Sequence, residues 1–95
     1  MGEEKNLIID FWAEWCGPCK SLKPTVEKLA DEYKDKGVEI ISINIEEDQD
    51  NVSGNYNVKS IPTVVFLKDG KEETRFVGTK TYQDFKDLIT KVYSV

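Results

Sequence analysis

Hydrophobic residues recur along this chain with two periods, and the changes of period mark its elements. Leu7-Ile8-Ile9-Asp10-Phe11-Trp12 is a near-continuous apolar run broken by one carboxylate, a pattern that suits a strand buried on both faces. From about Gly17 to Lys36 the apolar Leu22, Val26, Leu29, Ala30 and Tyr33 recur at helical steps, giving the single stripe of an amphipathic helix. Gly37 supplies its stop signal. Pro18 falls in the first turn, where a missing N–H is harmless, whereas Pro24 lies deeper and is expected to kink the helix. Val38 to Ile45 is rich in β-branched residues and alternates towards its end, so it reads as a second strand. Strand, helix and strand of these lengths form a βαβ unit. A right-handed crossover makes the strands parallel and puts the start of the helix at their carboxyl edge.

Val52, Tyr56 and Val58 outline a short second helix, which Gly54 and the neighbouring asparagines weaken. Val64 to Leu67 reads as a third strand, and Lys68-Asp69-Gly70-Lys71 carries the Asp-Gly signature of a tight hairpin into a fourth, Glu72 to Val77. Thr81 with Asp84 resembles a capping box, and Tyr82, Phe85, Leu88, Ile89 and Val92 form the stripe of a final helix. The predicted order is βαβαββα, without repeats or linkers. A chain of 95 residues and 10.9 kDa supports one domain, residues 1–95, with one modest core.

Charge narrows the function. Thirteen Lys and Arg against 18 Asp and Glu leave a formal net charge of -5, with no basic patch, which disfavours nucleic acid. No apolar run reaches the 18 or so residues of a membrane span. The stretch Met1 to Asn6 lacks the basic and apolar regions of a leader, and Asn6 spoils a myristoylation pattern at Gly2, so the expected location is the cytoplasm. Glu46-Glu47-Asp48-Gln49-Asp50 reads as a solvated acidic turn. As a calcium loop it fails, with Val52 at a ligand position and Lys59 where the closing glutamate belongs.

The candidate chemistry lies in Trp15-Cys16-Gly17-Pro18-Cys19-Lys20, which holds the only two cysteines. Two sulfurs at this spacing suit reversible dithiol chemistry, half of a metal site, or an inert staple. Residues three apart at a helix start have Cα atoms about 5 to 6 Å apart, within the range that a disulfide spans. Cys16, nearest the free N–H groups and the positive end of the helix dipole, is assigned as nucleophile. Cys19, one turn in and expected to be the more buried, is the resolving thiol. With no histidine in the chain, one protomer falls short of the usual four zinc ligands. A dimer holding zinc or an iron–sulfur cluster through four cysteines remains the alternative from another class, and a redox-silent binding adaptor is a third. Asp10 reads either as a partly solvated or capping residue at the strand end or as a carboxylate close to the sulfurs. Trp12 reads as core and Lys20 as a solvated helix residue.

The stretch Asp10-Phe11-Trp12-Ala13-Glu14-Trp15-Cys16-Gly17-Pro18-Cys19-Lys20 resembles the active-site segment of thioredoxins. Ile61-Pro62-Thr63, the Asp69-Gly70 hairpin and Val77-Gly78 match the family's other landmarks in order. The resemblance implies a thioredoxin-like α/β fold, a four-stranded mixed sheet of order 2-1-3-4 flanked by three helices, with the Val38–Ile45 strand as an edge open to pairing. It also implies a cis Ile61–Pro62 bond and a buried Asp10 able to take the proton of Cys19, directly or through water. Substrate docking is expected at Trp15, Gly17, Pro18, Ile61, Pro62 and Gly78. The glycines admit another backbone, Trp15 offers an amphipathic surface, and a substrate strand can pair beside Ile61.

By the same resemblance the protein is a monomeric reductase of protein disulfides. It carries no bound cofactor and is recycled by a partner thioredoxin reductase. The absence of histidine between the cysteines favours reduction over oxidation. With the family's thiol pKa of about 7, thiolate rises from roughly 3% to roughly 50% at neutral pH. Nucleophilicity falls about fivefold in exchange, so the net gain is only about threefold and positioning must supply most of the rate. Two departures stand out. Thioredoxins usually carry an extra strand and helix ahead of the active-site strand, and Ser42 stands where many have a lysine near the buried aspartate.

Overall fold

A computed structural model describes residues 6–95. The stretch Met1–Lys5, which carries most of the leader reading, lies outside the described residues. The elements are β1 (Asn6–Trp12), α1 (Gly17–Tyr33), β2 (Glu39–Asn44), α2 (Val52–Asn55), β3 (Thr63–Lys68), β4 (Lys71–Val77) and α3 (Tyr82–Tyr93), in the βαβαββα order. They build a four-stranded sheet of order β2-β1-β3-β4. β1 runs parallel to β2 and antiparallel to β3, and β4 returns antiparallel to β3. This is the α/β thioredoxin-like topology, with β1 in the interior and β2 at one edge of the sheet among the described residues.

The ends of the elements show where local chemistry overrides periodicity. α1 runs through Pro24 as one helix of 17 residues, then tightens into a 3-10 turn over Lys34–Lys36 before Gly37 turns the chain at φ 81°. The long helix predicted to Lys36 therefore ends in a narrower turn, which uses up carbonyls that an α-helix would leave free. Ile45, placed in the second strand by its hydrophobicity, belongs instead to a 3-10 turn, Ile45–Glu47. The weakened second helix is a single turn, with Gly54 so close to the Asn51 side chain that a Cβ would lie 2.5 Å from it. The hairpin between β3 and β4 takes positive φ at both Asp69 and Gly70, the conformation that its sequence signals.

Side chains alternate across β1, and this decides which face Asp10 joins. Leu7, Ile9 and Phe11 face the α2 side and cluster with Val65, Leu67, Ile41, Ile43, Val52 and Tyr56. Ile8 faces the α1 and α3 side, where Leu22, Val26, Leu29 and Tyr33 of α1 meet Phe85, Ile89 and Tyr93 of α3 over Val64 and Phe66. Asp10, two residues after Ile8, shares this face. α3 is pinned at both ends: Thr81 accepts from the Asp84 N–H at 3.1 Å, and Tyr93 Oη donates to the Leu67 carbonyl at 2.7 Å. Losing such a cap costs about 1 kcal/mol. Among the described residues no helix is long and apolar enough to cross a membrane.

Candidate active site

The chain leaves β1 at Trp12 and turns so that the Cys16 N–H donates to the Ala13 carbonyl at 3.1 Å. Cys16 keeps an extended backbone, φ -93° and ψ 108°, and is the N-cap of α1, with Pro18 in the first turn. Its Sγ accepts from the Cys19 N–H at 3.1 Å, the bond that a serine or aspartate oxygen makes at an ordinary N-cap. A sulfur in that position faces free N–H groups and the positive end of a long helix, and both favour a thiolate. Cys16 and Cys19 are joined in a disulfide with Cα atoms 5.2 Å apart, inside the range expected from their spacing. In this oxidised form Cys16 is 5% exposed and Cys19 3%. The order is the expected one, and the difference is small.

Beneath the disulfide, the solvated strand-end reading of Asp10 gives way. The residue lies within β1, paired with Ser42 on one side and Val64 on the other, and it is 4% exposed. Burial pushes its carboxyl up to about 6, and the Ser42 hydroxyl, donating to Oδ2 at 3.5 Å, offsets this slightly. Oδ1 finds no hydrogen-bond partner among the described residues. Asp10, Cys19, Trp12, Lys20, Lys23 and Ser42 line one cavity of about 370 Å³, with Glu14 and Glu27 completing its wall. Trp12 is thus half-buried and works as a wall as much as core, with Lys23 Nζ 5.7 Å from its ring centroid.

On the other side of the cysteines, a second cavity of about 370 Å³ is lined by Trp15, Ile45, Ser53, Val58, Lys59, Ser60 and Ile61. Trp15 is 66% exposed, and its Nε1 donates to Glu46 at 2.9 Å. Ile61 packs against the Cys16–Cys19 cluster. The Ile61–Pro62 bond is cis, as the resemblance implies. The Pro62 carbonyl accepts from the Gly78 N–H at 2.8 Å, with Gly78 at φ 93°, so these two landmarks, distant in sequence, lie side by side. Gly17 and Pro18 are both exposed. A Cβ on Gly17 would meet nothing within 4 Å, so the chain's own packing does not require glycine there.

Several residues at this site carry no local signal. Glu46 belongs to the run read as a solvated acidic turn, yet it orients Trp15. Asp48 in the same run is half-buried and caps α2, accepting from Val52 and Ser53 N–H groups at 2.9 and 2.7 Å. The Ser53 N–H in particular holds its carboxyl below the usual range. The solvated reading stands for the exposed Glu46, Glu47 and Asp50 and fails only for Asp48. Val77, 59% exposed and paired with Thr63 next to Pro62, extends the apolar rim. Among the described residues no group of three or more His, Cys, Asp or Glu could hold a metal ion.

A disulfide whose leading sulfur caps a long helix, carried on a sheet of this topology, defines a thiol–disulfide oxidoreductase with a C-x-x-C active site. The sequence matches the thioredoxin family model over residues 1–91. It is 42% identical over 88 residues to thioredoxin of Bacillus subtilis, covering 93% of this chain and 83% of that protein. It is also 42% identical over 78 residues to thioredoxin of Chlorobaculum thiosulfatiphilum, covering 82% and 70%. Among solved structures, the thioredoxin of Fasciola hepatica superposes with a TM-score of 0.81 at 36% identity, covering 95% of this chain and 83% of that one. A mutant thioredoxin from Halobacterium salinarum gives 0.81 at 34%, covering 92% and 74%. This chain belongs to the thioredoxin family.

Proposed function

We propose that this protein, acting as one monomeric domain over residues 1–95, reduces disulfides of other proteins in the cytoplasm and is returned to the dithiol by a partner thioredoxin reductase. Cys16 thiolate attacks one sulfur of the substrate disulfide, forming a mixed disulfide and releasing one substrate thiolate. Asp10 accepts the proton of Cys19, directly or through water. Cys19 thiolate then attacks the Cys16 sulfur, closing the internal disulfide and releasing the second substrate thiolate. Two electrons pass from the protein to the substrate, with no bound cofactor. Trp15, Gly17, Pro18, Ile61, Pro62 and Gly78 form the docking surface.

The observation that carries this reading is the Cys19 N–H on Cys16 Sγ at a helix N-cap, with the two sulfurs already joined. The direction, towards reduction, rests on the Gly17-Pro18 dipeptide and the absence of histidine between the cysteines. Among the described residues the two thiols do not belong to any group of three or more donors that could hold a metal ion. The test is turnover of insulin disulfides with dithiothreitol. Wild type should exceed the reductant alone, Cys16→Ser should not, and Cys19→Ser should accumulate a mixed disulfide through Cys16. Full rates in Cys16→Ser would sink the mechanism.

A further inference from the structure

The wall of the Trp15–Ile61 cavity comes from a segment without regular structure. Residues 56–62, between α2 and β3, form neither helix nor strand, yet Val58, Lys59, Ser60 and Ile61 all line the cavity. The bonds from Asn57 N–H to the Gly54 carbonyl, 3.0 Å, and from Val58 N–H to the Ser53 carbonyl, 2.9 Å, join the segment to α2. That helix is a single turn, held by the Asp48 cap and by Val52 in the α2-side core. A hydrogen bond to the sheet must come from elsewhere. At the far end Thr63 Oγ1, at the start of β3, donates to the Ser60 carbonyl at 2.5 Å.

At the near end the donor is Arg75. It lies on β4 opposite Val65, so its side chain projects on the α2 face of the sheet. Nη2 donates to the Tyr56 carbonyl at 2.7 Å and to Glu72 Oε1 at 2.8 Å, while Nε donates to Glu72 Oε2. The paired bonds to Glu72 fix the plane of the guanidinium, so the second Nη2 hydrogen is aimed at one backbone oxygen. The Tyr56 ring rests on Phe11 with centroids 6.4 Å apart, so Tyr56 meets β1 through its ring and β4 through its carbonyl.

We infer that Arg75 is a positioning residue for substrate: held by Glu72, it clamps the Tyr56 carbonyl and so fixes the wall of the docking groove that runs from Val58 to Ile61. The inference rests on the proposed function for the groove, and it concerns recognition of polypeptide disulfides only. A small disulfide that reaches Cys16 without lying in the groove does not depend on the wall.

The experiment compares reduction of insulin and of cystine by wild type, Arg75→Met, Arg75→Lys and Glu72→Gln. Loss of one charge-assisted bond at Arg75→Met is expected to raise the KM for insulin about fivefold, with kcat and the cystine rate within about twofold of wild type. Arg75→Lys keeps a cationic donor for the Tyr56 carbonyl and should recover at least about half of the loss. Glu72→Gln leaves Arg75 free to turn and should raise KM about twofold. It also serves if Arg75→Met does not fold. An unchanged insulin KM in the variants, or equal losses on insulin and cystine, would overturn the inference. Loss of cystine reduction by wild type would count against the proposed function itself.

Discussion

The two cavities beside the disulfide have the same volume, about 370 Å³ each, and different linings, the first richer in charged side chains and the second in aliphatic ones. The one on the α1 side ends at a buried carboxyl with an unpartnered oxygen and touches Cys19. The one on the α2 side is walled by Trp15, Ile45, Val58 and Ile61, with Ile61 packed against the cysteines. Nothing in the cysteine pair distinguishes its two sides; the sheet does, because β1 alternates and sends Asp10 one way and Phe11 the other. The arrangement separates two tasks. In the proposed function, protons are handled beneath Cys19, where burial raises the cost of charge, and a polypeptide is received beside Cys16, where apolar surface and free backbone are in reach.

The sharpest way to break this comparison is to remove the charge from the inner cavity. Asp10 has a folded pKa of about 6 against 3.8 for the free group, so the folded state binds the proton more tightly. Stability is therefore lost as pH rises between those values and is fully reduced above them, by about 3 kcal/mol. In the oxidised protein, where the cysteines do not titrate, Asp10→Asn should gain about 3 kcal/mol over wild type between pH 3.5 and pH 7.5, measured by urea unfolding. A gap that does not change with pH would mean that the carboxyl is solvated. On the groove side, Trp15→Ala should raise the insulin KM about tenfold without altering that pH dependence. Glu46→Gln leaves the indole in place with a weaker acceptor and should cost about twofold in KM. Gly17→Ala should change stability by less than about 0.5 kcal/mol, since the new methyl meets open space. Any loss of insulin turnover in that variant then reports the approach of a substrate backbone.

Much of this layout was legible in the sequence, and what was not has a common cause. The strands and the two long helices follow from periodicity, and the hairpin and the Thr81 cap from local turn chemistry. Asp10 was legible as an anomaly, a carboxylate inside an apolar run. Its burial depends on neighbours in β2 and β3 that no local pattern reveals. Glu46 on Trp15 spans 31 positions and Arg75 on Tyr56 spans 19. In each case a charge that looks merely solvated in the sequence makes a tertiary hydrogen bond beside the second cavity. The acidic run shows the limit well: Glu46 and Asp48 hydrogen-bond to Trp15 and to the start of α2, and only Asp48 is half-buried, although composition treats all four acids alike.

The division of labour between the cavities is tested most directly by the rate at which Cys19 releases the mixed disulfide on Cys16. Stopped-flow measurement from pH 5 to pH 8, in wild type and Asp10→Asn, isolates that step from the first attack. General-base loss of this kind costs about 100-fold, so release in Asp10→Asn should fall by about that factor at pH 7 and lack the inflection near pH 6 that is expected of wild type, while the initial attack by Cys16 changes by less than about twofold. Equal release rates and the same inflection in both proteins would contradict the account, leaving Asp10 a buried carboxyl with no part in the chemistry.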